Sequence, residues 1–202
     1  VAQINLKKGQ KISLKKGDGS DLTSFCVGAN WGAIDGKGFF GGAKKISVDL
    51  DLSLGLFDAN KQLVDVIYFG KLEAPGIAHS GDDMSGDIDG DDGLDNEVVI
   101  INLPQIPANI EQVVFVLNSY KKQDFATIPF ASIRLYEGTP ERVNSVVAKY
   151  DIASDPKFAG FVSMILGKLY KRNSEWKFAA LGEPTRDEKL EKTLQSVQEK
   201  YL

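Results

Sequence analysis

Between Gly81 and Glu97 the chain carries seven aspartates and one glutamate, with no lysine or arginine among them. Such a segment cannot enter a hydrophobic core, and glycines at positions 81, 86, 90 and 93 keep it out of regular helix or strand. Two like charges about 4 Å apart repel by about 1 kcal/mol even in bulk water, and by more beside a protein surface. The loop therefore needs something positive to fold around. With no cation in its own sequence, a dissolved metal ion is the natural candidate.

The sequence before the loop supplies a second group of carboxylates. From Ile46 to Leu54 polar and apolar residues alternate strictly, so Ser47, Asp49, Asp51 and Ser53 share one face of a predicted strand. Ile46, Val48, Leu50, Leu52 and Leu54 share the other. Near the start, Ile4 to Lys8 is echoed by Ile12 to Lys16, each run closed by a glycine, which reads as two short strands joined by a turn. Phe25 to Trp31, Val64 to Phe69, Val98 to Leu103, Gln112 to Asn118 and Ser132 to Tyr136 are further β-branched or aromatic runs. A glycine-rich loop, Gly32 to Gly42, with Gly36, Gly38 and Gly41, follows the run ending at Trp31.

Many short strands with glycine or proline turns between them predict a mainly β fold, a β-sandwich of two antiparallel sheets. One or two helices are expected near the C-terminus. Phe158, Phe161, Val162, Ile165, Leu166 and Leu169 fit helical spacing behind Asp155 and Pro156, and Leu190, Leu194, Val197 and Tyr201 make an amphipathic tail. The expected organisation is a β-sandwich domain over residues 1–182 and an amphipathic helix within 183–202 that docks on its own sheet.

At 202 residues, length favours one domain with a single core. A net charge of −4 and a pI near 5.1 give no positive field to attract nucleic acid, although Lys7, Lys8, Lys11, Lys15 and Lys16 make the start locally basic. These lysines read as protection of an exposed strand edge. The strongest apolar stretch, Phe158 to Tyr170, falls short of the roughly 20 residues that span a bilayer, so direct membrane insertion is not expected. One cysteine, Cys26, cannot close an internal disulfide, and the first residues lack a signal-peptide pattern; both suggest a cytoplasmic setting.

The donors available for a metal are hard oxygens. Asp49, Asp51, Asp82, Asp83, Ser85, Asp87, Asp89, Asp91, Asp92, Asp95 and Glu97 are the candidate ligands, with the Asn96 amide and loop carbonyls beside them. Calcium accepts six to eight such ligands in flexible geometry, whereas zinc and copper want His or Cys, of which the chain has one each. The donors suffice for two neighbouring ions. An EF-hand is excluded: counting from Asp87, the sixth position is Asp92 in place of glycine, the twelfth is Val98 in place of glutamate, and no helical pattern flanks the loop.

Enzymatic readings are weaker. His79 and Ser80 are neighbours in sequence, which does not place a base between nucleophile and orienting acid. A glycosidase carboxylate pair finds no single acid set apart in so dense a cluster. Cys26, inside an apolar strand, reads as an inert buried thiol, and Trp31, Trp176, Phe57 and Phe178 as core or rim aromatics. A metal-dependent hydrolase using the acidic cluster, or a jelly-roll calcium lectin, are the alternatives to a non-enzymatic binding module.

Asp49-Leu50-Asp51, followed by the acidic loop opening at Gly81, resembles the TerD family of bacterial tellurium-resistance and stress-response proteins. The family pattern joins an Asp-Leu-Asp strand to a Gly-Asp-Asn-x-Thr-Gly-x-Gly-x-Gly-Asp-Asp-Glu loop. Here Asp83 stands for the Asn, Ser85 for the Thr and Ile88 for a glycine, Asp87 and Asp89 replace glutamates, and Gly93-Leu94-Asp95-Asn96 is inserted before Glu97. The likeness runs from the paired N-terminal strands to Glu175-Trp176-Lys177-Phe178. It implies a β-sandwich binding two Ca2+ ions in the cytoplasm. It also implies association with other Ter-type proteins near the inner membrane through the integral membrane protein TerC.

Overall fold

A computed structural model describes residues 3–37, 42–152 and 156–202. The chain opens with β1 (Ile4–Asn5), β2 (Lys11–Ser13) and β3 (Ser24–Trp31), then a ribbon of β4 (Ile34–Lys37) and β5 (Ala43–Ile46). The strands β6 (Leu50–Asp58) and β7 (Leu63–Ile67) pair as a hairpin, β8 (Glu73–Ala74) and β9 (Ile77–His79) as a smaller one, and β10 (Glu97–Asn102) follows the acidic loop. Five long strands come next: β11 (Ile110–Ser119), β12 (Ala131–Thr139), β13 (Arg142–Asp151), β14 (Ser163–Arg172) and β15 (Glu175–Thr185). The α1 helix (Leu190–Lys200) ends the order.

The fold is mainly β, with one α-helix among the described residues. A seven-stranded sheet runs β1-β13-β12-β3-β10-β9-β8 and a six-stranded sheet β2-β15-β14-β11-β6-β7, with β4-β5 as a separate ribbon. The two larger sheets share one core, to which Val27, Val99 and Leu135 contribute from the first and Leu52, Phe115, Leu166 and Phe178 from the second. The α1 helix lays Leu194 and Val197 on the opposite face of the six-stranded sheet, against Phe57, Val114, Val116 and Ile165.

Several expectations are corrected. The sheets are three and not two, because β4 within the glycine-rich loop pairs with β5 just after it as a separate ribbon; Gly38 and Gly41 lie outside the described residues. The sheets are not purely antiparallel, since β1 pairs with β13 in parallel. The two N-terminal repeats do not pair with each other. Gly9, at φ 80°, lets the chain cross from one sheet to the other, so that β2 pairs with β15 and Leu6 and Leu14 both reach the core.

The helix expected from Phe158 onward is a strand. Asp155 lies outside the described residues, Pro156–Phe158 makes a single 3-10 turn, and β14 then runs through the centre of its sheet. Both of its faces are covered: Leu166 and Leu169 belong to the core between the sheets, and Ile165 packs under α1. A strand buried on both sides loses the alternation that distinguishes it from a helix.

Candidate metal centre

The acidic loop sits at the end of the fold where β3 finishes, and β6 and β10 begin. Its backbone is tied to the sheets at three points. Asp87 N–H donates to Trp31 O at 2.9 Å, Ala33 N–H to Asp87 O at 3.0 Å, and Val48 N–H to Ser85 O at 2.9 Å. The Trp31 indole, fully buried, donates Nε1–H to Val48 O at 2.9 Å and makes a floor for the loop. Gly86 lies on that floor at φ 66°, where a Cβ would come 2.6 Å from Trp31 Cδ1. Only glycine fits both the conformation and the contact.

Two trios of carboxylates are drawn together: Asp49, Asp51 and Asp82, and separately Asp87, Asp91 and Asp92. Within each trio one oxygen from every side chain lies within 4.8 Å of the others. The first trio is the more enclosed, with Asp49 and Asp51 buried on either side of the β6 start. Burial pushes Asp51 up to about 7, reinforced by the charges of Glu97, Asp49 and Asp82. Asp82 is also raised, by burial and then by Asp49 and Asp83.

In the second trio, Asp87 is raised chiefly by burial, and its Oδ2 is buried with no hydrogen-bond partner. Asn30 donates Nδ2–H to Asp91 Oδ1 at 3.0 Å, while its own Oδ1 is likewise buried and unpartnered. Buried acceptors with nothing to accept are rare, and a cation bonded to them resolves the deficit.

The remaining predicted ligands have other work. Asp83 Oδ1 accepts the Ser85 N–H, the Ser85 hydroxyl and the Gly86 N–H at 2.8, 2.9 and 3.0 Å, closing the turn. Burial would raise Asp83, but these donors and the Asn96 amide hold it below the usual carboxylate range. Asp95 pairs with Arg134, whose Nε donates to Oδ2 at 2.9 Å and whose guanidinium also reaches Gly93 O at 2.7 Å. Burial nonetheless pushes Asp95 up to about 6. Glu97 is 1% exposed, and backbone N–H groups occupy both of its oxygens, from Asp83 at 3.1 Å and from Leu52 at 2.7 Å. Asp89 is exposed and belongs to neither trio.

Residues other than carboxylates also build the site, and of these Lys121 and Arg134 carry no sequence signal. Asn96 joins the loop to β3 by accepting from Trp31 N–H at 2.7 Å and donating to Asp87 Oδ1 at 3.0 Å. Lys121 comes from the far side of the chain to pair with Asp49 at 3.2 Å. With Arg134, it supplies positive charge that the loop's own sequence lacks. His79 is not catalytic in placement: Nδ1 accepts the Gly81 N–H at 3.1 Å, so the ring proton lies on Nε2, 2.9 Å from Leu52 O. Cys26 is buried, and that burial pushes its thiol up.

The chain as a whole is similar to known proteins. The TerD domain family matches residues 2–196. The stress response protein SCP2 of Bacillus subtilis is 39% identical over 203 residues, covering 93% of this chain and 96% of its own. The tellurium resistance protein TerZ of Serratia marcescens is 34% identical, covering 91% of each chain. Among solved structures, a TerD homologue from Streptomyces coelicolor superposes with a TM-score of 0.61 at 15% identity, over 82% of this chain and 92% of its own. That likeness concerns the fold alone.

Proposed function

The chain belongs to the TerD family, and on that premise we propose that it is a non-enzymatic stress-response protein that binds calcium at two sites. Asp49, Asp51 and Asp82 would hold one ion, and Asp87, Asp91 and Asp92 the other. The observation that carries this reading is the pair of carboxylate trios, each with oxygens within 4.8 Å, one of them containing the buried, unpartnered Asp87 Oδ2.

The donor chemistry supports calcium over other metals. All six side chains are carboxylates, and five of the six, all but Asp51 of β6, stand on irregular backbone, which suits the flexible coordination of calcium better than the strict octahedron of magnesium. The chain's one histidine is committed to Leu52 and Gly81, and its one cysteine is buried elsewhere, so zinc and copper lack ligands. A bound calcium would supply concentrated positive charge and a cross-link between the loop and the β6 start.

The rest of the function follows from the relatives. Those compared above are named for stress response and for resistance, not for a reaction. A calcium-ordered loop presents a fixed surface, and the partners proposed for it are other Ter-type proteins in a cytoplasmic setting, with TerC as the membrane link. No helix among the described residues is long and apolar enough to cross a membrane.

Calorimetric titration of chelator-stripped protein with calcium, paired with thermal melting, tests the reading. Two ions per chain and a raised melting temperature are expected. At a hundredfold excess over Kd the stabilisation is about 2.7 kcal/mol per site. An identical melt in chelator and in calcium, with no binding heat, would falsify it.

A further inference from the structure

Asn118 stands between the first carboxylate trio and the C-terminal segment, and hydrogen-bond chemistry fixes which way its amide points. The Ser163 hydroxyl lies 2.6 Å from Asp187 O, and the Thr193 hydroxyl 3.3 Å from Lys189 O. Carbonyl oxygens only accept, so each hydroxyl commits its one hydrogen there and turns a lone pair to Asn118. The Asn118 amide nitrogen donates to both, at 2.6 Å to Ser163 Oγ and 2.9 Å to Thr193 Oγ1.

The carbonyl end of the same planar amide is therefore turned away from Ser163 and Thr193, and the neighbouring strand on the other side of β11 is β6. There its partner in register is Asp51, and directly opposed residues bring their Cβ atoms to about 5 Å. Asn118 is 7% exposed, and its Oδ1 is buried with no hydrogen-bond partner. Two oxygen acceptors thus stand on directly opposed residues of neighbouring strands, and a positive species between them would satisfy both. Asn118 also lines a cavity of about 390 Å³ together with Asp51, Ser53, Tyr68, Lys189 and Leu190, which leaves room on this face of the sheet.

We propose that Asn118 gives its amide oxygen to the cation held by Asp49, Asp51 and Asp82, and that this contact couples cation binding to the docking of α1. The inference rests on the calcium-binding reading above. With the cation absent, the Asp51 carboxylate attracts the amide hydrogens, and a half-turn of the Asn118 side chain brings them to it. The carbonyl then faces Ser163 and Thr193, whose hydrogens are committed to Asp187 and Lys189. Thr193 of α1 then loses its hydrogen bond to β11, and Ser163, which holds Asp187 O, loses the amide that orients its hydroxyl. The tie from Ser196 Oγ of α1 to Asp187 Oδ2 at 3.0 Å lies within the C-terminal segment itself, and Lys122 to Glu188 and Lys168 to Tyr201 O stay as fastenings to the body of the fold.

Amide hydrogen exchange over residues 190–200, measured on the full chain in chelator and in calcium alongside calorimetry, tests the coupling. In the wild type, exchange of α1 slows at least tenfold on adding calcium. Asn118→Leu, with neither donor nor acceptor, weakens one calcium site about 10- to 100-fold and leaves the other unchanged. Asn118→Asp keeps an oxygen toward Asp51 but has no amide hydrogens for Ser163 and Thr193, so it binds calcium while α1 exchanges at the same rate with and without it.

Wild-type protein that takes up no calcium overturns this inference together with the proposed function. Wild-type protein that binds calcium while α1 exchange stays constant overturns the inference alone. So does Asn118→Leu with wild-type affinity at both sites. Should Asn118→Leu fail to fold, Asn118→Asp decides, and a calcium-dependent α1 in that variant overturns the coupling. Protection of α1 that follows pH in chelator and ignores calcium assigns the facing oxygens to a proton on Asp51, and equally overturns it.

Discussion

Glu97 Oε2 accepts the Leu52 backbone N–H at 2.7 Å, so a carboxylate from the seven-stranded sheet caps a strand of the six-stranded one. The pairing of β7 with β6 starts only at Leu54, which leaves the outward N–H and C=O of Leu52 without a strand partner. Glu97 takes the N–H and His79 Nε2 the C=O, at 2.9 Å. Buried backbone groups must be paired, and here two side chains stand in for a missing strand.

Glu97→Gln keeps the size and removes the symmetry of the carboxylate. One amide end must then face a donor, either Leu52 N–H or Asp83 N–H. Leaving a buried donor unsatisfied costs about 1–3 kcal/mol. Chemical denaturation should register that loss in calcium as well as in chelator, because the clamp is separate from the trios; a loss seen only in calcium would place Glu97 among the ligands.

Stability in chelator should fall as pH rises through the neutral range. Asp51 titrates near 7 in the folded chain, against an ordinary value of 3.8, with burial the largest cause. Between those values the folded state holds a proton that the unfolded state has lost, so raising pH favours unfolding. Calcium binding requires the ionised form, and the calcium-induced rise in melting temperature should be larger at pH 8 than at pH 6. Melts at the two pH values, each with and without calcium, check both signs.

Arg134→Met should destabilise by about 3–5 kcal/mol, because it leaves the Asp95 carboxylate buried without its partner. Asp95 then protonates more readily, so the loss measured by denaturation should be greater at pH 8 than at pH 6. Gly28→Ala strikes the same contact from β3, since a Cβ there would lie 1.9 Å from Asp95 Oδ2. Its effect should add little to that of Arg134→Met in the double variant, as both release Asp95.

What could be read from the sequence was local. The alternation around Asp49 and Asp51 and the glycine-spaced aspartates marked the members of both trios as candidates, because Asp49 and Asp51 share a strand start and the other four lie in one short loop, but not how the fold divides them. Lys121, Arg134, Asn30 and Asn118 reach the site from elsewhere, and nothing in their own neighbourhoods marks them. Alternation also told that Asp51 and Ser53 share a face, but not that the C-terminal segment covers it; both residues are buried. That same cover, by hiding Ile165, made β14 read as a helix.

The cover itself yields the last test. Leu194 and Val197, 3% and 0% exposed, are the residues by which α1 seals the outer face of the six-stranded sheet. Gly55 lies directly beneath, where a Cβ would come 2.8 Å from Leu194 Cδ2, so the helix approaches the sheet closely. Lys168 adds a polar fastening by donating to Tyr201 O at 2.6 Å at the helix end. Leu194→Ala removes buried methyl groups from a tight contact and should destabilise by about 2–5 kcal/mol in denaturant unfolding. If α1 instead belonged to a partner and rested on this sheet only loosely, the same variant would unfold at the wild-type midpoint. Phe57, Val114, Val116 and Ile165 would then be accessible to a hydrophobic dye in the wild type as well.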